Sequence, residues 1–275
     1  MPKNNGIKLA VNCSRLAVLI SLTFGPIALH AGTIEAYVEA PTVQSSSVGG
    51  ITTETFNGLP VGFYGTSVST AIGTYEGTSA DPFEIISADQ YGGAGGSGNY
   101  FAVGSETGSP GVDAVTLDLS SENNYFGFWW SAGDVNNSIT LLQNGTVLAT
   151  FTTAELVALL PNSSATTVTA IDGAQYNTIN YYGNPNDGQD ANEPFAYVDI
   201  IATGLEFNQV LFSNPGNTGF ESDNHSVANG VTQPPSGDVI IGTLQLTTPE
   251  PTSWALAILG LGALIFGRIR VVRRT

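Results

Sequence analysis

The stretch SITLLQNGTVLATFT, residues 138–152, decides the fold class of this chain. Apolar and polar residues alternate on both sides of Asn144-Gly145, in 138–142 and in 147–152. Such alternation is typical of strands that bury one face. Asn and Gly both accept the positive φ angles of a type I′ turn, which joins two antiparallel strands. The stretch therefore predicts a β-hairpin.

Runs with strand composition recur from residue 33 to residue 246, and many of the 33 Gly and 14 Pro residues of the chain separate them. In 114–119 the alternation places Val115, Leu117 and Leu119 on one face. Strands at this spacing, without long helices between them, favour a sandwich over a parallel α/β sheet. The predicted strands are 33–38, 51–56, 82–87, 100–103, 114–119, 125–131, 138–142, 147–152, 175–182, 195–201, 205–212, 219–221 and 239–246.

One stretch, 153–160, has a helical pattern. Thr152 or Thr153 can cap its N-terminus, Glu155 suits its first turn, and Pro161 ends it. We expect an all-β ectodomain, a single β-sandwich of jelly-roll type, flanked by an N-terminal signal helix and a C-terminal transmembrane helix. Within it we expect a flexible segment at 32–50, the sandwich at 51–232, and a final strand and linker at 233–248.

The distribution of charge excludes several functions. Of the 23 acidic residues, 22 lie in 32–248, a segment that contains no Lys or Arg and is called the body below. Nucleic-acid binding requires cations that displace phosphate counterions, so we expect no nucleic-acid partner. The absence of Arg and Lys also argues against enzymes that recognise phosphate groups.

Residues that could support catalysis are sparse in the body. The only cysteine is Cys13, and His225 is the only histidine after residue 31. A Ser-His-Asp set would have to use His225, and no serine has a Gly-x-Ser-x-Gly setting. Many carboxylate pairs could be drawn for glycoside hydrolysis, but none is singled out. We expect no enzymatic activity and no catalytic residues, with a secreted glycoside hydrolase as the least favoured alternative.

Two groups of residues are candidate calcium ligands, because hard cations prefer carboxylate and amide oxygens. Asp187 and Asp190 lie in an acidic loop that lacks the spacing of an EF-hand, and a solvated loop is the alternative there. The second group joins Glu54 on an early strand to Asp223 and Asn224 on a late one. It resembles the structural calcium sites that tie the first and last strands in many carbohydrate-binding jelly rolls.

An aromatic run, 125–131, suggests a sugar-binding surface. Alternation places Trp129 on one face of this predicted strand and Trp130 on the other. Either side chain is a candidate for stacking on a sugar ring, although a central strand of a sandwich buries at least one face. Packing in the core is therefore the alternative for both.

Residues 1–31 have the composition of a secretory signal peptide. Basic residues precede the apolar run 16–24, a Gly-Pro pair follows it, and cleavage is expected after Ala31. An N-terminal membrane anchor is the alternative. The prediction is export across the inner membrane.

The last 27 residues combine a Pro249-Glu250-Pro251 tripeptide, an apolar run at 254–267 and a cluster of arginines. The run has 14 residues, fewer than the roughly 17–25 of a full membrane span, and snorkelling arginines can lengthen it. Arginines beyond the run place this end in the cytoplasm and the body outside. The arginines are Arg268, Arg270, Arg273 and Arg274.

This arrangement resembles the PEP-CTERM sorting signal of Gram-negative bacteria that make extracellular polysaccharide. Exosortases recognise such signals. The resemblance implies an exosortase as the processing partner, cleavage at or near 249–251, transient anchoring in the inner membrane, and a final location at the cell surface or outside the cell. A permanent single-pass anchor is the alternative.

Segments of the body also look like a group of exosortase-dependent surface proteins. They are 89–100, 125–134 and 219–224. The resemblance supports the architecture and a surface location. Together with the two ends of the chain, it leads us to expect a structural or interaction role associated with exopolysaccharide, as in a biofilm matrix. The alternative is a carbohydrate-binding module with a structural calcium ion.

Overall fold

The computed structural model describes residues 32–104, 114–215 and 218–244, and this part of the chain is all-β. The strands are β1 Thr33–Val38, β2 Thr52–Glu54, β3 Gly62–Tyr64, β4 Val68–Ser69, β5 Gly73–Glu76, β6 Phe83–Ser87, β7 Asn99–Val103, β8 Ala114–Asn123, β9 Tyr125–Ser131, β10 Ser138–Gln143, β11 Thr146–Thr152, β12 Thr167–Thr169, β13 Gln175–Asn177, β14 Ala196–Thr203, β15 Phe207–Ser213, β16 Phe220–Ala228 and β17 Val239–Leu244. Helix α1 spans Thr153–Leu159, and 3₁₀ turns span Ala94–Gly96 and Thr178–Tyr181.

The strands form three antiparallel sheets. The largest has nine strands in the order β17-β1-β14-β9-β16-β7-β6-β3, with β2 also paired to β16. The second has six strands in the order β11-β10-β15-β8-β5-β4, and β12 and β13 form a small third sheet. Strand β17 therefore lies at an edge of the largest sheet, and β1 is its one partner among the described strands.

The two large sheets share one core and form a sandwich-like arrangement. Phe212 on β15 contacts Phe101 on β7 and Phe126 on β9, with ring centroids 5.1 and 6.1 Å apart. Trp130 on β9 packs edge-on against Phe151 on β11 at 5.7 Å. These rings are fully buried, and their burial is the main force that holds the sheets together.

Local features predicted from the sequence are confirmed. In the hairpin between β10 and β11, Gln143 pairs with Thr146, while Asn144 and Gly145 adopt φ angles of 50° and 76°. Helix α1 begins with a capping box in which the Thr152 side chain accepts from the Glu155 backbone and the Glu155 side chain accepts from the Thr152 backbone.

The predicted strands 51–56 and 175–182 are both shorter than expected, and β2 covers only Thr52–Glu54 of the first. Of residues 175–182, only Gln175–Asn177 form a strand, and the chain then turns into the 3₁₀ segment Thr178–Tyr181. The Asn177 side chain accepts a hydrogen bond from the backbone of Ile179, and this local bond favours a turn over an extended backbone.

The N-terminal part of the body also differs from the expectation of a flexible segment at 32–50. Strand β1 lies between β14 and β17 in the largest sheet, with Ile34, Ala36 and Val38 fully buried. Residues after β1 lie against the outer face of that sheet. The alternating apolar side chains of β1 explain why it is buried in the sheet. The residues that follow β1 are held in place by contacts with residues that are distant in sequence.

The outer face of the largest sheet is covered by segments from two other parts of the chain as well. Tyr125 packs with Val48 and Ile51, and Trp129 packs with Tyr91 and Ala94. We call the segments 40–51, 88–98 and 183–193 the cover segments. Their presence makes both faces of β9 buried.

Hydrogen bonds join the cover segments to one another. The Gln44 amide exchanges hydrogen bonds of 3.1 Å with the Asn186 amide, and its oxygen also accepts from the backbone of Gly95 at 2.7 Å. Asn184 donates to the backbone oxygens of Asp89 and Gln90. The cover segments are therefore a connected layer.

The part of the chain that the structure describes contains no helix long and apolar enough to cross a membrane. The predicted signal peptide, residues 1–31, and the predicted sorting segment, residues 249–275, lie outside the described residues.

His225 lies in the middle of the aromatic core and is fully buried. Its ring stacks on Phe212 with centroids 4.8 Å apart. Its Nδ1 pairs with the Tyr75 hydroxyl at 2.8 Å and its Nε2 with the Ser222 hydroxyl at 2.9 Å. Each hydroxyl can donate or accept, so a neutral imidazole satisfies both contacts. Burial lowers the pKa of His225 to about 3.

We expect His225 to limit stability in acid. A histidine whose folded pKa lies below its unfolded value of about 6.5 takes up a proton only on unfolding, so its contribution is complete above pH 6.5 and is lost as the pH falls toward 3. The loss is roughly 1 kcal/mol per pH unit. Urea unfolding of the wild type and of His225→Gln, which keeps a donor and an acceptor but does not titrate, measures it.

Comparing the wild type with His225→Gln removes the contribution of buried acids to the pH dependence of stability. Raised pKa values at Asp199, Asp223 and Asp238 act in the opposite direction and are common to both proteins. Below pH 6.5 the wild type should lose stability relative to the variant. A difference between them that stays constant from pH 7.5 to pH 4.5 contradicts the assignment.

Candidate functional site

Three carboxyl groups meet at the outer face of the largest sheet. Glu39 follows the end of β1, Asp199 lies in the middle of β14, and Asp238 directly precedes β17. One oxygen from each lies within 4.8 Å of those from the other two. Within the described residues, this is the only group of three or more His, Cys, Asp or Glu side chains with such spacing. We call it the carboxylate cluster.

The members of the carboxylate cluster are buried. Glu39 is 4% exposed, and Asp199 and Asp238 have no exposed surface. The register of the strands brings the three carboxyl groups together. Asp199 on β14 lies opposite Tyr37 on β1, and β1 pairs in turn with β17. The cluster therefore exists only when these three strands are assembled.

The hydrogen bonds of the cluster are uneven. One Glu39 oxygen accepts from the backbone and the hydroxyl of Ser47, both at 2.6 Å. Asp199 Oδ1 accepts from the hydroxyls of Tyr125 and Ser46. Asp199 Oδ2 and both side-chain oxygens of Asp238 receive no hydrogen bond within the described part of the chain.

Electrostatic repulsion in this cluster is large. Two unit charges 4.8 Å apart repel by about 3 kcal/mol at an effective dielectric constant of about 20. The sequence places no Lys or Arg between residues 16 and 267 that could offset this repulsion. Burial raises the pKa of Asp199 and that of Asp238, and the Glu39 carboxylate raises both further. Asp199 also raises the pKa of Asp238, whereas the hydrogen bond from Tyr125 opposes the rise at Asp199. The cluster therefore favours binding of a proton or of a metal cation.

The predicted calcium ligands of the second group lie on adjacent strands, but their side chains have other partners. Strand β2 places Glu54 opposite His225 on β16, and Glu54 accepts a hydrogen bond from the backbone of Phe56. Asp223 accepts from the backbones of Ala94 and Asn224. Within the described residues, Glu54, Asp223 and Asn224 therefore do not form a group of three ligating side chains.

Asp223 and Asn224 instead attach the cover segments to β16. The Asn224 amide donates to the Gln44 backbone at 2.7 Å, and Asp223 receives the Ala94 backbone N–H at 2.8 Å. Asn224 sits at a bulge with a φ angle of 50°, which turns its side chain toward the cover segments. Burial raises the pKa of Asp223 to about 7.

The loop candidates Asp187 and Asp190 remain on a surface turn. Both Asp187 oxygens accept hydrogen bonds from Gln189, one from its backbone and one from its side chain. Asp190 adopts a φ angle of 49° at the next bend. Neither residue joins a cluster of three ligating groups within the described residues.

The structure contradicts the prediction that Trp129 or Trp130 stacks on a sugar. Trp129 is 1% exposed and Trp130 has no exposed surface. Trp130 lies in the core between the sheets, as the alternative interpretation expected, and Trp129 lies beneath the cover segments. A sugar could not reach either ring face, because one side of β9 meets a sheet and the other meets a loop layer.

Sequence reasoning missed the carboxylate cluster. Its three members are separated by 160 and 39 positions along the chain, and no local motif joins them. One signal was present: Asp199 interrupts the apolar run 195–202, where a carboxyl group must be buried if the run is a central strand. In a body without Lys or Arg, a buried carboxylate indicates a site where a proton or a cation must neutralise the negative charge.

Gly127 makes room for the hydroxyl that contacts Asp199. It lies on β9 opposite Asp199, and a Cβ atom there would sit 2.0 Å from the Tyr125 hydroxyl and 2.9 Å from that of Tyr197. We expect Gly127→Ala to reduce the free energy of unfolding by about 1–3 kcal/mol, as overpacking usually does. Urea unfolding measures the change.

Two comparisons test the cause. Gly58→Ala, at a position where a Cβ would meet nothing within 4 Å, should change stability little. Tyr125→Phe removes the clashing hydroxyl, so its effect combined with Gly127→Ala should be less than additive. Strict additivity would show that the two positions do not interact in this way.

Comparisons of the chain with models of protein families, with curated proteins and with solved structures found no match.

Proposed function

We propose that this protein is exported, processed by an exosortase, and retained at the cell surface or in the extracellular matrix in a structural or interaction role associated with exopolysaccharide. The body is then a single β-sandwich of jelly-roll type without enzymatic activity. The C-terminal helix holds the precursor in the inner membrane until the exosortase acts.

One observation carries this proposal. A Pro249-Glu250-Pro251 tripeptide, a short apolar run and a terminal arginine cluster follow one another at the end of a chain that begins with a signal-like segment. The tripeptide alone would be weak support. The order, the spacing and the terminal position of the three parts together match a sorting signal.

Properties of the body are consistent with a surface role. Its net negative charge, with no Lys or Arg, would disfavour nonspecific adhesion to nucleic acids and other polyanions. Its hydrogen-bonded cover segments give it a compact outer layer without disulfide bonds, since the only cysteine is Cys13. These features suit a protein that persists outside the cell.

The carbohydrate-binding alternative has lost its proposed contact residues. It depended on an exposed aromatic surface at Trp129 or Trp130, and both side chains are buried. Likewise, no observation in the described residues favours a hydrolase over a structural role. The structural or interaction role therefore stands as the proposal.

The intact mass of the protein recovered from the cell surface tests the sorting proposal. With an active exosortase, we expect a chain that begins near Gly32 and ends near Pro249, together with any attached glycan or lipid as added mass. Without the exosortase, residues 252–275 should remain. A mass that includes these residues in both strains contradicts processing and would indicate a permanent anchor.

A pair of variants tests whether processing depends on the Pro-Glu-Pro tripeptide or on the residues beside it. Replacement of Pro249, Glu250 and Pro251 by alanine should leave the C-terminal segment attached and the protein in the membrane fraction. Replacement of the adjacent Thr252 and Ser253 by alanine is the matched control and should be processed normally. Equal processing of both variants would show that the tripeptide is not recognised.

A further inference from the structure

The carboxylate cluster has the dimensions of a cation site. Oxygens that bind one Ca²⁺ at about 2.3–2.6 Å can lie at most about 5 Å apart. The oxygens of Glu39, Asp199 and Asp238 lie within 4.8 Å of one another. All three side chains could therefore reach one ion without a change in the strands that hold them.

An independent observation also indicates a ligand. Asp238 is fully buried, and neither of its carboxyl oxygens receives a hydrogen bond within the described part of the chain. A buried carboxylate without a donor is rare in folded proteins, because the lost hydration must be replaced. The Asp238 oxygens face two other carboxyl groups, so this site is satisfied only by a proton shared among them or by a bound cation.

The body itself offers no such cation. Lys and Arg are absent between residues 16 and 267. Both ring nitrogens of His225 are engaged by Tyr75 and Ser222 in the core between the sheets. A cation that binds this site would therefore come from outside the body.

We propose that Glu39, Asp199 and Asp238 bind one calcium ion. Oxygen-only ligands select hard cations over zinc or copper, which prefer nitrogen and sulfur. Three carboxylates supply enough charge for a divalent ion. Mg²⁺ usually keeps several of its waters, and the burial of all three side chains disfavours a heavily hydrated ion.

The ion would connect three strands of the largest sheet. Without it, β14 and β17 are linked through β1, which pairs with both. Glu39 directly follows β1, Asp199 lies on β14, and Asp238 directly precedes β17. Among the described strands, β17 is an edge strand that pairs with β1 alone. Calcium would therefore hold the last strand of the body to the sheet and stabilise the assembled form.

Thermal unfolding of the purified full-length protein at pH 7.5, with calcium chloride or with a chelator, tests this proposal. Titration calorimetry should detect one calcium ion bound per chain, and this binding should be lost when a residue of the carboxylate cluster is replaced. At a calcium concentration 100 times the dissociation constant, the midpoint should rise by about 5–10 °C. Magnesium chloride at the same concentration should give a clearly smaller rise.

Asp238→Asn gives the most specific result, because calcium should reverse the sign of its effect. Without calcium, the variant should be at least as stable as the wild type, since its neutral amide can donate hydrogen bonds to the neighbouring carboxylates. With calcium, it should be the less stable protein, because it lacks a ligand. Asp187→Asn, which removes an exposed carboxylate, should respond to calcium as the wild type does.

Several results would overturn the proposal. They are a wild type whose midpoint does not respond to calcium, an equal response to magnesium, and an Asp238→Asn variant that responds as the wild type does. If Asp238→Asn does not fold, Glu39→Gln serves for the same comparison. The test is independent of sorting, because binding is measured on the unprocessed chain.

Discussion

The body of this protein must satisfy its buried acids without a single Lys or Arg. An unpaired buried carboxylate is costly, so each one needs donors from the chain, a proton or a metal ion. The structure uses neutral donors where it can. Ser47 donates to Glu39, Tyr125 to Asp199, and the backbone of Ala94 to Asp223. These contacts explain much of what lies on the outer face of the largest sheet.

The same contacts organise the cover segments. Ser47 belongs to the first segment and Ala94 to the second, and each donates to a carboxylate at or beside a strand of the sheet. The segments thereby bury Tyr125 and Trp129, which would otherwise form an exposed aromatic surface. Buried acids and covered aromatic rings are thus two results of one arrangement, and this arrangement removes the sugar-stacking surface.

The limits of sequence reasoning follow from distance along the chain. The β10–β11 hairpin and helix α1 depend on neighbouring residues, Asn144-Gly145 in one and Thr152 with Glu155 in the other, and both were predictable. The carboxylate cluster depends on the register of β1, β14 and β17, which no local pattern specifies. Glu54 and Asp223 were expected on an early and a late strand joined by a calcium ion. The strands β2 and β16 do pair, but the hydrogen bonds of both side chains to nearby backbone groups could not be foreseen.

Position within the sheet connects the proposed calcium site to the proposed processing. Strand β17 ends at Leu244, five residues before Pro249, so cleavage near 249–251 would leave this edge strand next to a new chain terminus. Strands at an edge and near a terminus open most readily, because they have one neighbour and little chain beyond them. A cation bound by Asp238 next to the start of β17, together with Asp199 and Glu39, would oppose that opening because it fixes the end of β17 that lies farther from the new terminus.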